Sequence, residues 1–169
     1  ATRAGGGRAM FYGDYVDGPT APLFPFGHGL TYTTFAYGDL EVVAGGTTAE
    51  PVVLRVTITN TGDRDGVEVV QLYARDEVAS VARPSQMLVG FTKVALAAGT
   101  GASVTFCVHP SQLAFHDPDM RFVVEPGRVR FSVGGSSATA DQVATVDLEG
   151  PVTEHRQREI VATTVEVTR

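Results

Sequence analysis

The stretch "PVVLRVTITNTGDRDGVEVVQLYARD", Pro51 to Asp76, decides the fold. Its first limb alternates strictly, with Val52, Leu54, Val56 and Ile58 on one face and Val53, Arg55, Thr57 and Thr59 on the other. Such period-two alternation, rich in β-branched residues, marks a half-buried strand. The run "NTGDRDG" (Asn60–Gly66) follows with turn chemistry, and its glycine is read as part of a hairpin turn. Alternation then resumes, with Val70, Leu72 and Ala74 opposite Val69, Gln71 and Tyr73.

The same pattern recurs downstream. "QMLVGFTKVAL", "GASVTFCVHP", "MRFVVE", "GRVRFSVGGS" and "QVATVDLEG" are further strand candidates, separated by "AAGTGA", "EPGR" and "GGSS". A last candidate, "EIVATTVEVT", puts Val161, Thr163, Val165 and Val167 on one face. Helix is nearly absent; "HPSQLAFHD" offers one short turn, opened by Pro110. Eight or nine short strands at regular spacing predict an all-β sandwich.

The first 39 residues differ in kind. "PLFPFGHGLTYTTFAY" (Pro22–Tyr37) packs prolines, glycines and aromatic rings into a stretch with no clear periodicity. The division expected is an irregular N-terminal connector over 1–39, a sandwich over 40–150 and a tail over 151–169 carrying an extra edge strand. A free linker would favour Ser, Gly and Pro, so five rings between Phe24 and Tyr37 point to a strip that lies against another body.

Composition narrows the function. Of the 169 residues 43% are apolar and 19% charged, ordinary for a globular fold, and the net charge of −6 argues against nucleic acid. No run approaches the roughly 18 apolar residues that span a bilayer. The one cysteine, Cys107, has no internal partner and sits in an alternating strand; it leaves the compartment, cytoplasmic or secreted, open. Gly5–Gly7 lack the Lys-Ser/Thr ending of a phosphate loop, and "DRDG" lacks the far acidic ligand of a calcium loop. "FHDPD" (Phe115–Asp119) reads as an Asp-stabilised turn, because His28, His109 and His155 are scattered and no metal set converges. No nucleophile elbow is present, and no catalytic residue, metal or cofactor is assigned.

The junction "GDYVDGPTAPLFPFGHGLTYTTFAYGDLEV" closely resembles that of family 3 glycoside hydrolases, the β-glucosidases and β-xylosidases. Three further segments resemble the same family in order: "VTITNTGDRDGVEVVQLYARD", "VARPSQMLVGFTKVAL" and "LAFHDPDMRFVVEPGRVRFSVGGSS". Phe122 and Phe11 stand where the family often shows tryptophan. The resemblance implies an immunoglobulin-like, fibronectin type III-like β-sandwich with an irregular N-terminal extension. It also implies a retaining parent enzyme that hydrolyses terminal β-glycosidic bonds. The aspartate nucleophile, on a barrel, and the glutamate acid, on an α/β sandwich domain, that the resemblance implies would lie upstream of Ala1 and map to no residue here. Those two domains are the implied partners, and a β-glucoside or β-xyloside is met only through them. Phe24, Phe26, Tyr32 and Phe35 are the expected interdomain packing residues, and Phe11, Tyr12 and Tyr15 the candidates for the substrate rim. The alternative is a stand-alone carbohydrate-binding sandwich using Tyr73, Phe91, Phe106, Phe122 and Phe131, three of which share core-facing parity. An adhesion repeat is a third reading, weakened by the absence of any tandem repeat.

Overall fold

The computed structural model describes residues 21–159 and 162–169. Eight strands of four or more residues build two sheets: β2 (Glu41–Ala44), β3 (Val52–Asn60), β4 (Gly66–Asp76), β5 (Met87–Leu96), β6 (Gly101–Val108), β9 (Gly127–Gly134), β10 (Gln142–Leu148) and β12 (Thr164–Thr168). Four shorter strands, β1 (Phe35–Tyr37), β7 (Phe115–His116), β8 (Phe122–Val124) and β11 (Thr153–Glu154), complete the described set. One sheet runs β1-β3-β6-β12, with β2 also on β3; the other runs β10-β9-β4-β5. A small third sheet, β11-β8-β7, lies beside them. Among the described residues no helix is long and apolar enough to cross a membrane.

The alternation in β3 becomes burial in the structure. Val52, Leu54, Val56 and Ile58 are buried, and the intervening positions are exposed or half-exposed. They face Val70, Leu72, Val94, Phe131 and Val133 across one core, which Phe106 fills from β6. Each such side chain contributes on the order of 1.5–3 kcal/mol on burial.

One expectation is corrected here. The Asn60–Gly66 connection is not a hairpin: β3 pairs with β1, β2 and β6, whereas β4 pairs with β5 and β9. The connection crosses between sheets, because the apolar faces of β3 and β4 pack against each other through the core instead of lying side by side. The "AAGTGA" link from β5 to β6 likewise crosses between sheets, in a tight turn where Gly99 adopts φ +72° and Thr100 N–H donates to Ala97 O at 3.1 Å.

The sandwich edges are closed by short contacts. At one side Thr48 N–H donates to Glu149 O, and Glu149 N–H to Gly46 O. At the other, β12 pairs with β6, and the Thr163 hydroxyl donates towards Val89 O of the opposite sheet. The helical turn is a single 3₁₀ turn, Pro110–Gln112, capped by His109. The Arg83 guanidinium lies 4.4 Å over the Phe115 ring and donates to Leu113 O at 3.0 Å, so the "ARP" segment is tied to the body of the sandwich.

Candidate functional site

The connector is attached to the sandwich at two places, and both rest on small residues. At the first, the Thr33 hydroxyl donates to Asn60 Oδ1 at 2.6 Å. Asn60 is fully buried at the end of β3. Its Oδ1 also accepts from Gly62 N–H at 3.1 Å, and its Nδ2 donates to Arg64 O at 2.7 Å and Leu96 O at 3.1 Å. Both acceptor sites and both donors of the amide are used. Thr61 N–H adds a bond to Thr34 O at 2.8 Å. A Cβ at Gly62 would stand 2.2 Å from Thr33 Oγ1, and one at Gly66 2.4 Å from Thr33 Cγ2. The glycines of the "NTGDRDG" loop therefore make room for the connector.

The second attachment is the turn Pro25–His28. Gly27 has φ +80°, and His28 N–H donates to Pro25 O at 2.9 Å, the pattern of a type II turn with glycine third. Ser137 N–H donates to Phe26 O at 2.8 Å. Gly27 lies so close to Gln71 that a Cβ there would stand 2.2 Å from Oε1. Gln71 in turn donates to Gly135 O and accepts from the Tyr73 hydroxyl at 2.7 Å. Gln71 and Tyr73 lie on the outer face of β4, as the alternation predicts, yet both are buried. Parity cannot reveal this, because the connector covers the middle of that face.

Large connector side chains point the other way. Phe24 is 69% exposed, Phe26 68% and Tyr32 93%, with Leu23 and Leu30 equally uncovered. Phe35 differs: it lies in β1, paired opposite Asn60, and packs against the core half-buried. Of the four rings expected to pack between domains, three face outward and the fourth leans on the sandwich. Phe11, Tyr12 and Tyr15 lie outside the described residues.

Between connector and sheet runs a cleft of about 430 Å³, with Tyr37, Glu68, Thr139 and Asp141 among its walls. Tyr37 donates to Glu68 Oε1 at 2.6 Å. Burial, and then the bond and charge of Glu68, push the Tyr37 phenol far above its ordinary range, so it stays protonated and cannot act as a base.

A Ser–His–carboxylate array also appears, unforeseen in the sequence. Ser111 Oγ is 2.9 Å from His109 Nδ1, and His109 Nε2 is 3.8 Å from Glu159 Oε2. Ser111 is fully buried and its hydroxyl accepts from Glu159 N–H at 3.1 Å, so no substrate reaches it. The array caps a turn and holds the C-terminal segment. In "FHDPD", Asp117 accepts from the backbone N–H groups of Asp119 and Arg121 and pairs with the Arg121 guanidinium at 2.7 Å, a turn lock. Among the described residues no group of three or more His, Cys, Asp or Glu is placed to hold a metal.

A two-sheet antiparallel sandwich with an aromatic connector laid over one face defines a fibronectin type III-like class of module. The fibronectin type III-like domain family matches residues 68–137. A β-xylosidase of Formosa agariphila is 44% identical over 141 residues, covering 80% of this chain and 19% of that protein. The crystal structure of a β-glucosidase from Listeria innocua in complex with glucose superposes with a TM-score of 0.76 at 37% identity, covering 83% of this chain and 19% of that one. A Bifidobacterium adolescentis GH3 β-glucosidase gives a TM-score of 0.68 at 40% identity over 73% of this chain and 18% of its own. The chain carries the fibronectin type III-like domain of the family 3 glycoside hydrolases. It spans about a fifth of the length of the relatives it matches.

Proposed function

We propose that this chain is the non-catalytic fibronectin type III-like module of a family 3 glycoside hydrolase of the β-glucosidase or β-xylosidase type. Its role is to stabilise an enzyme that hydrolyses terminal β-glycosidic bonds. The observation that carries this reading is the division of labour in the connector. Its backbone, Thr33 and Gly27 are committed to the sandwich, while Phe24, Phe26 and Tyr32 are left for another body. Covering those three rings would contribute roughly 4–9 kcal/mol before entropy is subtracted. The body that covers them is the catalytic part of the parent, its barrel and α/β sandwich domain. The β-glycoside is bound there.

Two measurements test it. The isolated chain should give no turnover of aryl β-glucosides or β-xylosides above background. A parent enzyme cut before Asp39 should lose several degrees of thermal stability or fail to accumulate as folded protein. Turnover by the isolated chain, or a cut parent with unchanged melting temperature and activity, refutes the proposal.

A further inference from the structure

The two outer faces of the sandwich differ in chemistry. Across β3, β6 and β12 the outward rows read Thr57–Ser103–Thr168 and Arg55–Thr105–Glu166, with Glu41 of β2 opposite Arg55. These two rows are polar and suited to water; beyond them runs the mixed row Val53–Cys107–Thr164. The outer face of β4 and β5 instead presents Val67, Val69, Leu88 and Phe91 beside the buried Gln71 and Tyr73, with the exposed Lys93 opposite Val69. Phe91 is 63% exposed in the middle of a strand, an unusual place to leave a ring in water.

Phe91 and the connector's Phe26 both line a groove of about 280 Å³, completed by Gly27, His28, Val69, Leu88 and Gln71. The Gln71 amide in its lining is already engaged at both ends, since it donates to Gly135 O and accepts from Tyr73. Apart from that amide and the His28 imidazole, the side chains lining the groove are apolar, whereas a sugar needs several convergent polar groups. This groove fits an apolar side chain, the pattern of an interface core in which an aromatic anchor is ringed by drier contacts.

We propose that the outer face of β4 and β5, centred on Phe91 and Leu88, is a second half of the interdomain interface. It receives apolar side chains from the body that the connector joins to the sandwich. The inference rests on the module reading above and extends it from the connector to the sheet. Two observations select this occupant. Phe26 belongs to both surfaces, so the groove is continuous with the exposed connector rings. The relatives extend far beyond the matched fifth, which supplies a body of the size such a face needs.

The test is thiol protection. Single variants Phe91→Cys, Leu88→Cys, Phe24→Cys and Thr57→Cys are made with Cys107→Ser, in this chain and in the longer protein that carries it, with other thiols removed. Maleimide should label positions 91 and 88 rapidly in the short chain and roughly tenfold or more slower in the long one, as a closed interface requires. Thr57→Cys, on the polar face, should label alike in both. Because the Phe91 ring stands in water in the isolated module, Phe91→Cys should leave its fold intact; Leu88→Cys gives an independent reading of the same face. If 91 and 88 label equally in both proteins while 24 is protected, the sheet-face proposal is overturned and the connector reading survives. If 24, 88 and 91 are all unprotected in the long protein, both fall.

Discussion

Replacing Asn60 by alanine removes four hydrogen bonds at one point, two of them to groups with little access to water. Asn60 Oδ1 serves Thr33 Oγ1 and Gly62 N–H, and Nδ2 serves Arg64 O and Leu96 O. The bonds to Thr33 and Leu96 lie in the buried interior, so their orphaned partners each carry a desolvation cost of about 1–3 kcal/mol. The other two partners are partly buried and recover some bonding from water, adding about 0.5 kcal/mol each. The expected total is about 3–7 kcal/mol, a large share of the roughly 5–15 kcal/mol that holds a domain of this kind together. Urea unfolding followed by circular dichroism reads it directly. With a slope near 2 kcal/mol/M, about that of a small domain, the midpoint should fall by roughly 1.5–3.5 M. Asn60→Asp tests the donors alone: it keeps the acceptor for Thr33 but turns a carboxylate oxygen towards two carbonyls, and should be no better than alanine. A midpoint shift under about 0.3 M for Asn60→Ala, or a neutral Asn60→Asp, would refute the assignment of this side chain as the pin between connector, loop and sheet.

Two other outcomes follow from the same geometry. Gly62→Ala should expel Thr33 from its seat, since the new Cβ would stand 2.2 Å from Thr33 Oγ1. Thr33→Ala should relieve part of that clash, so a double-mutant cycle should show coupling of about 1 kcal/mol, and simple additivity counts against the contact. Acid should weaken the fold through three carboxylates. Asp147 is held below its usual range by the hydrogen bond from Arg128, and Glu159 by that from His155. Burial pushes Asp117 up, but the backbone N–H and guanidinium of Arg121 outweigh it and leave it low. A folded value below the unfolded one means stability is present above pH ~4 and lost as pH falls through the folded value. The urea midpoint should therefore drop below pH ~4, and Arg121→Gln should reduce the steepness of that drop. A midpoint flat from pH 6 to 3 contradicts these pairs.

How much of this was legible in the sequence depends on the range of the interaction. Alternation is a local property, so β3, β6 and β9 could be read from their own residues, and Phe106 and Phe131 are fully buried. Pairing is not local: the turn residues of Asn60–Gly66 look the same whether the chain folds back in one sheet or crosses to the next. Gln71 lies against a turn more than forty residues earlier, and no window on β4 contains it. Phe91 was within reach. Counting back by twos from the buried Leu96 and Val94 puts position 91 on the outer face, but Val89 is buried on the opposite parity. The register shift at Leu72/Tyr73, where β4 meets β5, separates the two parities.

The connector's composition makes sense only when its two faces are weighed separately. What touches the sandwich is cheap in apolar surface: a carbonyl of Phe26, the Gly27 backbone, a threonine hydroxyl. What faces away is costly to leave wet: Leu23, Phe24, Phe26, Leu30 and Tyr32. If fixing the segment to its own domain were the only requirement, burying even two of those side chains would contribute roughly 3–6 kcal/mol, more than the few hydrogen bonds now holding it. The segment does the reverse, spending directional polar bonds on its own sandwich and keeping its apolar side chains outward. Polar bonds fix position and contribute little net free energy, whereas apolar area contributes energy without direction. A strap that must present rings in a fixed place to a second body needs that assignment, and the exposed Phe91, which lines the same groove as Phe26, continues the surface onto the sheet.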